Sequence, residues 1–225
     1  MLELLIPQLS RRSVIRRGAV SSAISASAKR MLDLFGSAAL LLVLAPLLGG
    51  LAVLVKTSPG PLLFTQQRVG RHGRMFACLK FRTMCPDADA RLQQLLEGDD
   101  ALKAEWARDQ KLRNDPRVTA IGKFLRKTSL DELPQLFNVL RGEMSLVGPR
   151  PIVEEELQRY ARAAVWYLAV RPGMTGLWQV SGRNEVDYAR RVAMDSYYVR
   201  RRNFAMDCVI LLQTLRVVVR GGDGY

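Results

Sequence analysis

From Leu34 to Val55 the chain runs for 22 residues without a charged side chain, every position being apolar, Gly, Ser or Pro. As an α-helix that is about 33 Å, close to the hydrocarbon thickness of a bilayer. A buried core helix is the alternative, but an uncharged run of this length favours membrane insertion. A cleaved leader would have a shorter apolar stretch and a small-residue cleavage site, whereas Lys56-Thr57-Ser58-Pro59 follows here. Lys29 and Arg30 flank one end, and Lys56, Arg68, Arg71, Arg74, Lys80 and Arg82 flank the other. The positive-inside rule therefore asks for both ends on the cytoplasmic side, which a straight span cannot satisfy. Pro46 lies near the middle, lacks a backbone donor and clashes with the preceding turn. The sequence predicts a re-entrant helical hairpin over residues 29–57, broken at Pro46, with a kinked single span as the alternative. Backbone groups freed at the bend must be covered by protein, since lipid cannot satisfy them.

The flanks divide the rest. Residues 1–28 read as a flexible basic arm, because Arg11 to Ala28 is rich in Ser, Ala and Arg and has no acidic residue. Such an arm suits an anionic membrane surface, and plain disorder explains it equally well. Residues 58–220 are expected to form one cytoplasmic domain, with 221–225 as a tail. Phe204 to Val219 is mostly apolar, which suggests a helix packed on the domain or lying in the membrane interface. Lys and Arg outnumber Asp and Glu by 34 to 21, so polyanions, anionic headgroups and phosphorylated substrates are the natural partners. Nucleic acid is disfavoured: no recognition motif occurs, and aromatic residues, at 7%, are too few for a stacking platform.

Within the domain, Leu62 to Gln66 and Met75 to Phe81 are strand-like runs around a Gly-containing turn and predict a β-hairpin. Helical spacing follows at Asp87–Leu96, Ala101–Lys111, Ala120–Lys127, Glu132–Leu140, Ile152–Ala164 and Val186–Arg201. The fold class is therefore α+β, mainly helical with a small hairpin. Cys78, Cys85 and Cys208 have no metal-binding spacing, and His72, the one histidine, sits in a turn-like stretch, so a zinc site or a His-dependent nucleophile is not expected.

Asp131 and Glu132 are the candidates for chemistry, weighed against an ordinary acidic helix start. Ser129 and Glu132 have capping-box spacing, yet with Ser129 as the N-cap Pro134 would delete a helical hydrogen bond. With Asp131 as the N-cap, Pro134 falls at N3, where no donor is needed. Asp131 is thus expected at a helix mouth, kept ionised by the helix end and by Arg126 and Lys127. An ionised Asp can bind a divalent cation or attack phosphorus to form an acyl phosphate. Arg150, Arg171 and Arg183 lie in Gly- and Pro-rich loops suited to bidentate capture of phosphate oxygens, or they decorate a solvated basic face.

Several stretches, in order, resemble the monotopic polyprenyl-phosphate phosphoglycosyl transferases, the bacterial sugar transferases. They are Lys29-Arg30-x-x-Asp33, Phe64-Thr65-Gln66-Gln67-Arg68-Val69-Gly70, Lys80-Phe81-Arg82-Thr83-Met84, Ser129-Leu130-Asp131-Glu132-Leu133-Pro134-Gln135, Val147-Gly148-Pro149-Arg150-Pro151, and Arg171-Pro172-Gly173-Met174-Thr175-Gly176 through Gln179 to Gly182-Arg183-Asn184. The resemblance spans roughly residues 29 to 220 and is closest to the minimal, exopolysaccharide-initiating form, since longer relatives carry further membrane helices and a soluble domain ahead of the catalytic part. It implies a UDP-sugar donor, undecaprenyl phosphate as acceptor and Asp131 as the nucleophile that displaces UMP and carries the phosphosugar. Glu132 would place Mg²⁺ or handle a proton, so the implied metal residues are Asp131 and Glu132. Phosphate or substrate binding is implied for Lys80, Arg82, Arg126, Arg150, Arg171, Gln179, Arg183 and Asn184.

The family also implies a membrane helix broken at a proline, an inner-membrane location with the catalytic domain on the cytoplasmic face, and galactose or glucose as the sugar; self-association is left open. Where the family commonly has Ser before that proline, this chain has Ala45. A basic membrane-surface module without catalysis, or a phosphohydrolase using the same dyad, are the competing expectations.

Overall fold

The computed structural model describes residues 19–109, 112, 115–182 and 186–220. Two helices open the described chain, α1 (Ala19–Val43) and α2 (Ala45–Lys56), separated at Leu44. The break follows from Pro46. A continuous helix would press the proline ring on a carbonyl one turn back, whereas in the first turn of a new helix its missing donor costs nothing. The interruption therefore falls two residues ahead of Pro46, which occupies the start of α2, and Leu48 N–H resumes the ladder to Leu44 O at 2.8 Å. No single described helix is long and apolar enough to cross a membrane; Ser27–Val43 and Ala45–Lys56 meet that test only as a pair, bent by 64° at the break. α1 begins inside the stretch expected as the basic arm.

The expected hairpin forms from β1 (Leu63–Val69) and β2 (Met75–Phe81), with a 3₁₀ turn at Arg71–Gly73 in which His72 takes φ 59°. Helices α3 (Ala88–Gly98), α4 (Asp100–Asp109), α5 (Ala120–Thr128) and α6 (Gln135–Arg141) follow. Then come β3 (Ser145–Val147), α7 (Glu154–Tyr160), α8 (Ala164–Leu168), β4 (Gly173–Thr175) and α9 (Leu177–Val180), and the described chain closes with α10 (Tyr188–Arg201) and α11 (Phe204–Arg220). The fold is α+β and mainly helical. The long helix expected over Ile152–Ala164 is divided, because Ala161 adopts φ 44° and ends α7.

A second sheet was not foreseen: β3 and β4 pair in parallel, Ser145 with Gly173 and Val147 with Thr175. The approach is close enough that a Cβ on Gly173 would stand 2.0 Å from Gly148 N, so glycine is required there. Two of the loops that carry the family resemblance are thereby locked together by main chain.

Two compact units share the chain, each assembled from separate stretches. In the first (1–43, 66–78 and 135–219), Phe76, Leu136, Val139, Met144, Leu146, Val147, Tyr198 and Ile210 form the core. Val69, Ile152, Leu157, Tyr160 and Tyr167 form a second apolar cluster in that unit. Lys29 Nζ reaches Asp207 Oδ2 at 2.8 Å and Val147 O at 2.9 Å, while the Tyr198 hydroxyl donates to Asp207 Oδ1, so these inward charges are hydrogen-bonded as burial demands. In the second unit (44–65, 79–134 and 220–225), Leu51, Val55, Phe81 and Leu125 form the core.

Candidate active site

Asp131 and Glu132 are placed by the way α5 ends. Thr119 caps its start, its hydroxyl accepting from Gly122 N–H at 2.9 Å, and Ser129, in the left-handed region at φ 57°, closes its end. Leu130–Glu132 then make a 3₁₀ turn, in which Glu132 N–H donates to Ser129 O and Leu133 N–H to Leu130 O. This corrects the expectation of one helix over Glu132–Leu140 with Asp131 as its cap: α6 starts only at Gln135, and Pro134 precedes it. Pro134 has no N–H with which to carry the 3₁₀ turn on to Asp131 O, so that turn stops and α6 begins at the next residue.

The chemistry of the dyad follows from burial. Asp131 is 9% exposed, and its carboxyl is pushed up to about 6, first by desolvation and then by Glu132; Lys80 and Arg126 pull the other way. The sequence expects Asp131 to be kept ionised by nearby cations, and lost water, which local rules do not count, works against them. At pH 7 such a group is still mostly ionised, and it is more basic than an ordinary aspartate. Glu132 Oε1 accepts from Lys80 Nζ at 2.7 Å. Arg126 donates through Nε to the Thr83 hydroxyl at 3.0 Å; its guanidinium is lowered by burial, while Asp131 and then Asp115 raise it.

Behind these groups the framework is tight. A Cβ on Gly122 would lie 2.0 Å from Thr83 O, and Thr119 N–H donates to that carbonyl at 3.0 Å, so the start of α5 sits directly on the chain following β2. Asp115 and Arg117 form a buried two-pronged pair at 2.8 and 2.7 Å. Thr83, Asp115 and Arg117 are parts of the site that sequence reasoning missed; the Asp115-Pro116-Arg117 spacing was the available signal.

The other sequence candidates divide between the units. Arg82, 6% exposed, donates through Nε to Pro61 O and through Nη2 to Val55 O and Ser58 O, so it fastens the end of α2 to the loop before β1. Lys80, Arg82, Arg126, Asp131 and Glu132 all belong to the second unit, whereas Arg150, Arg171 and Gln179 belong to the first. The Arg150 guanidinium lies 5.9 Å from the Trp178 ring centre and that of Arg191 lies 4.7 Å from it. Arg171 Nε donates to Gly142 O at 2.6 Å. Gln179 Nε2 donates to Met174 O, and its buried Oε1 has no partner among the described residues. Arg183 and Asn184 lie outside the described residues, and Ala45 and Pro46 open α2.

Among the described residues no group of three or more His, Cys, Asp or Glu side chains converges. The two carboxylates of the dyad still suit Mg²⁺, which is ordinarily held by one or two carboxylates together with substrate phosphates and water.

A profile of the family described as bacterial sugar transferase matches residues 24–221. The chain belongs to the bacterial sugar transferase family. Among its relatives, this sugar transferase is 53% identical over 197 residues to the undecaprenyl-phosphate galactose phosphotransferase of Salmonella typhimurium, covering 88% of this chain and 41% of that one. It is 48% identical over 203 residues to the exopolysaccharide production protein ExoY of Rhizobium meliloti, covering 90% of both. An undecaprenyl-phosphate glucose phosphotransferase of Komagataeibacter xylinus is 44% identical over 200 residues, covering 84% of this chain and 35% of the relative. The sugar transferase thus spans less than half the length of two of these relatives and nearly all of the third.

Proposed function

We propose that this sugar transferase moves a hexose 1-phosphate, with galactose or glucose as the sugar, from a UDP-sugar to undecaprenyl phosphate and so initiates an exopolysaccharide or O-antigen repeat unit. The observation that carries the reading is the buried Asp131 carboxyl, raised to about 6 beside Glu132, with Lys80 and Arg126 as the cations that act on it. An Asp131 oxygen attacks the sugar-bearing phosphorus, the bond to the bridging oxygen breaks, and UMP leaves with that oxygen. The acyl phosphate so formed keeps the sugar on the enzyme. An oxygen of undecaprenyl phosphate then attacks the same phosphorus and expels the Asp131 carboxylate, leaving a diphosphate-linked lipid sugar. Neither displacement requires a net proton.

Lys80 and Arg126 offset charge as phosphoryl oxygens enter, which is the main task of a phosphoryl-transfer site. Lys80 also holds the Glu132 carboxylate, so that carboxylate is oriented by the time substrate arrives. Asp131 and Glu132 would hold Mg²⁺, whose bound contribution is to neutralise phosphate charge and align the donor. The bent α1–α2 pair, apolar and uncharged through the break, supports a re-entrant anchor in the inner membrane with the dyad on the cytoplasmic side. Membranes carrying the chain, given radiolabelled UDP-hexose and undecaprenyl phosphate, should yield labelled lipid and UMP. Undiminished turnover in Asp131→Ala would remove the assignment, and release of free sugar phosphate without lipid would make the protein a hydrolase.

A further inference from the structure

The last carbonyls of α6 are covered by arginines from two distant parts of the chain. Arg30 donates through Nη1 to Val139 O at 2.9 Å and through Nη2 to Leu140 O at 3.1 Å, and Arg171 donates through Nε to Gly142 O. Gly142, at φ 80°, lets them converge: a Cβ there would lie 3.4 Å from Arg30 Nη2 and 3.9 Å from Arg171 Nη2. The turn at Arg71–Gly73 packs on α8, which leads into Arg171, and α8 packs on α10, which ends just before Arg202, so the exposed Arg71 and Arg202 extend the cluster; burial first, then repulsion from Arg171 and Arg202, lowers the Arg71 guanidinium.

Among the described residues none of the four forms an ion pair. Asp33, the carboxylate that acts on Arg30, already accepts from the Ser145 hydroxyl and from Leu146 N–H. Capping α6 accounts for only part of this charge: a guanidinium has five donors, the cap takes two from Arg30 and one from Arg171, and a helix end offers a fraction of one charge.

Two of the cations adjoin apolar helix surface, since α1 carries Arg30 and α11 begins two residues after Arg202. Met31 and Phe35 on α1 and Phe204, Leu212 and Leu215 on α11 are all exposed. A ligand that satisfies both features has an anionic phosphate head and alkyl tails. We propose that Arg30, Arg71, Arg171 and Arg202 hold the phosphate head of an anionic bilayer phospholipid, whose acyl region meets the exposed apolar side chains of α1 and α11. Guanidinium forks match phosphate oxygens, and each cation at an anionic surface is worth about 1 kcal/mol, roughly fivefold in affinity. The proposal rests on the membrane reading above and adds the lipid class.

Native mass spectrometry of the full chain in detergent, with phosphatidylglycerol competing against phosphatidylcholine, counts the lipid retained. Phosphatidylglycerol adducts should dominate, and Arg71→Gln/Arg202→Gln should cut them by roughly tenfold or more while adducts with undecaprenyl phosphate persist. The charge-preserving Arg71→Lys/Arg202→Lys should keep most of the selectivity. Equal retention of the two phospholipids, a double Gln variant that binds as the parent does, or a variant that loses undecaprenyl phosphate instead would each overturn the proposal. Membrane anchoring is read separately: release of the parent chain from membranes by a salt wash would sink that reading, whereas an anchored chain without lipid preference sinks only this one.

Discussion

In the proposed mechanism Asp131 must meet two demands that pull against each other, because a nucleophile must be ionised to react and basic to react well. Burial and Glu132 raise its carboxyl to about 6 while Lys80 and Arg126 restrain the rise. If ionised Asp131 is the reacting form, kcat/KM should fall as pH drops through about 6, an acid limb that reports the free enzyme. Lys80→Met removes a cation that lowers the carboxyl, so the limb should move to higher pH; Glu132→Gln removes an anion that raises it, so the limb should move lower. A pH profile of single-turnover rates for the three proteins checks both signs. Thr83 should act through Arg126: Thr83→Val loses the acceptor at 3.0 Å and is expected to lower kcat severalfold, and Thr83→Ser should restore it. The dyad itself was legible in the sequence because its signature is contiguous. Its surroundings were legible only in part: Lys80 and Arg126 were among the expected residues, whereas Thr83 and Asp115, which lie 49 and 17 residues before Glu132 and act on Arg126, follow no local pattern.

Elements were legible where one local rule governs them. The helical spacing over Val186–Arg201 forms α10, which starts two residues later than expected because Asp187 caps it through Arg190 N–H at 2.8 Å. The junction between α5 and α6 was misread because a left-handed Ser129 is not written in a side-chain pattern, and the β3–β4 pairing was missed because strands of three residues carry no periodicity. Contacts at this scale give two tests. Gly122→Ala puts a methyl against Thr83 O, which belongs to the main chain and can move only with it, so the second unit should lose about 1–3 kcal/mol, read from its urea unfolding.

The other test concerns Asp195 on α10, which receives the Tyr160 hydroxyl of α7 at 2.7 Å and is raised to about 7 by burial. Its proton is bound more tightly folded than unfolded, so the stability it supplies is fully present below about pH 4 and is lost as pH rises through about 7. Asp195→Asn keeps an acceptor for Tyr160 and should flatten that slope, leaving the variant the more stable of the two at pH 8 in thermal unfolding.

At the scale of the whole molecule, the proposed re-entrant anchor rests on a run of 22 uncharged residues, a break ahead of Pro46 and cations at both ends. In a chain whose own cysteines are replaced by Ala, single cysteines at Ala28 and Thr57 should both react with a reagent confined to the cytoplasm; labelling of either from the periplasm would contradict the hairpin. The chemistry stands on a more direct observation. The detergent-extracted chain, mixed with UDP-galactose or UDP-glucose without lipid acceptor, should stop at the covalent stage, and mass spectrometry of its peptides should find one hexose phosphate on Asp131. An adduct on another residue, or one equivalent of UMP released with no adduct at all, would contradict the account.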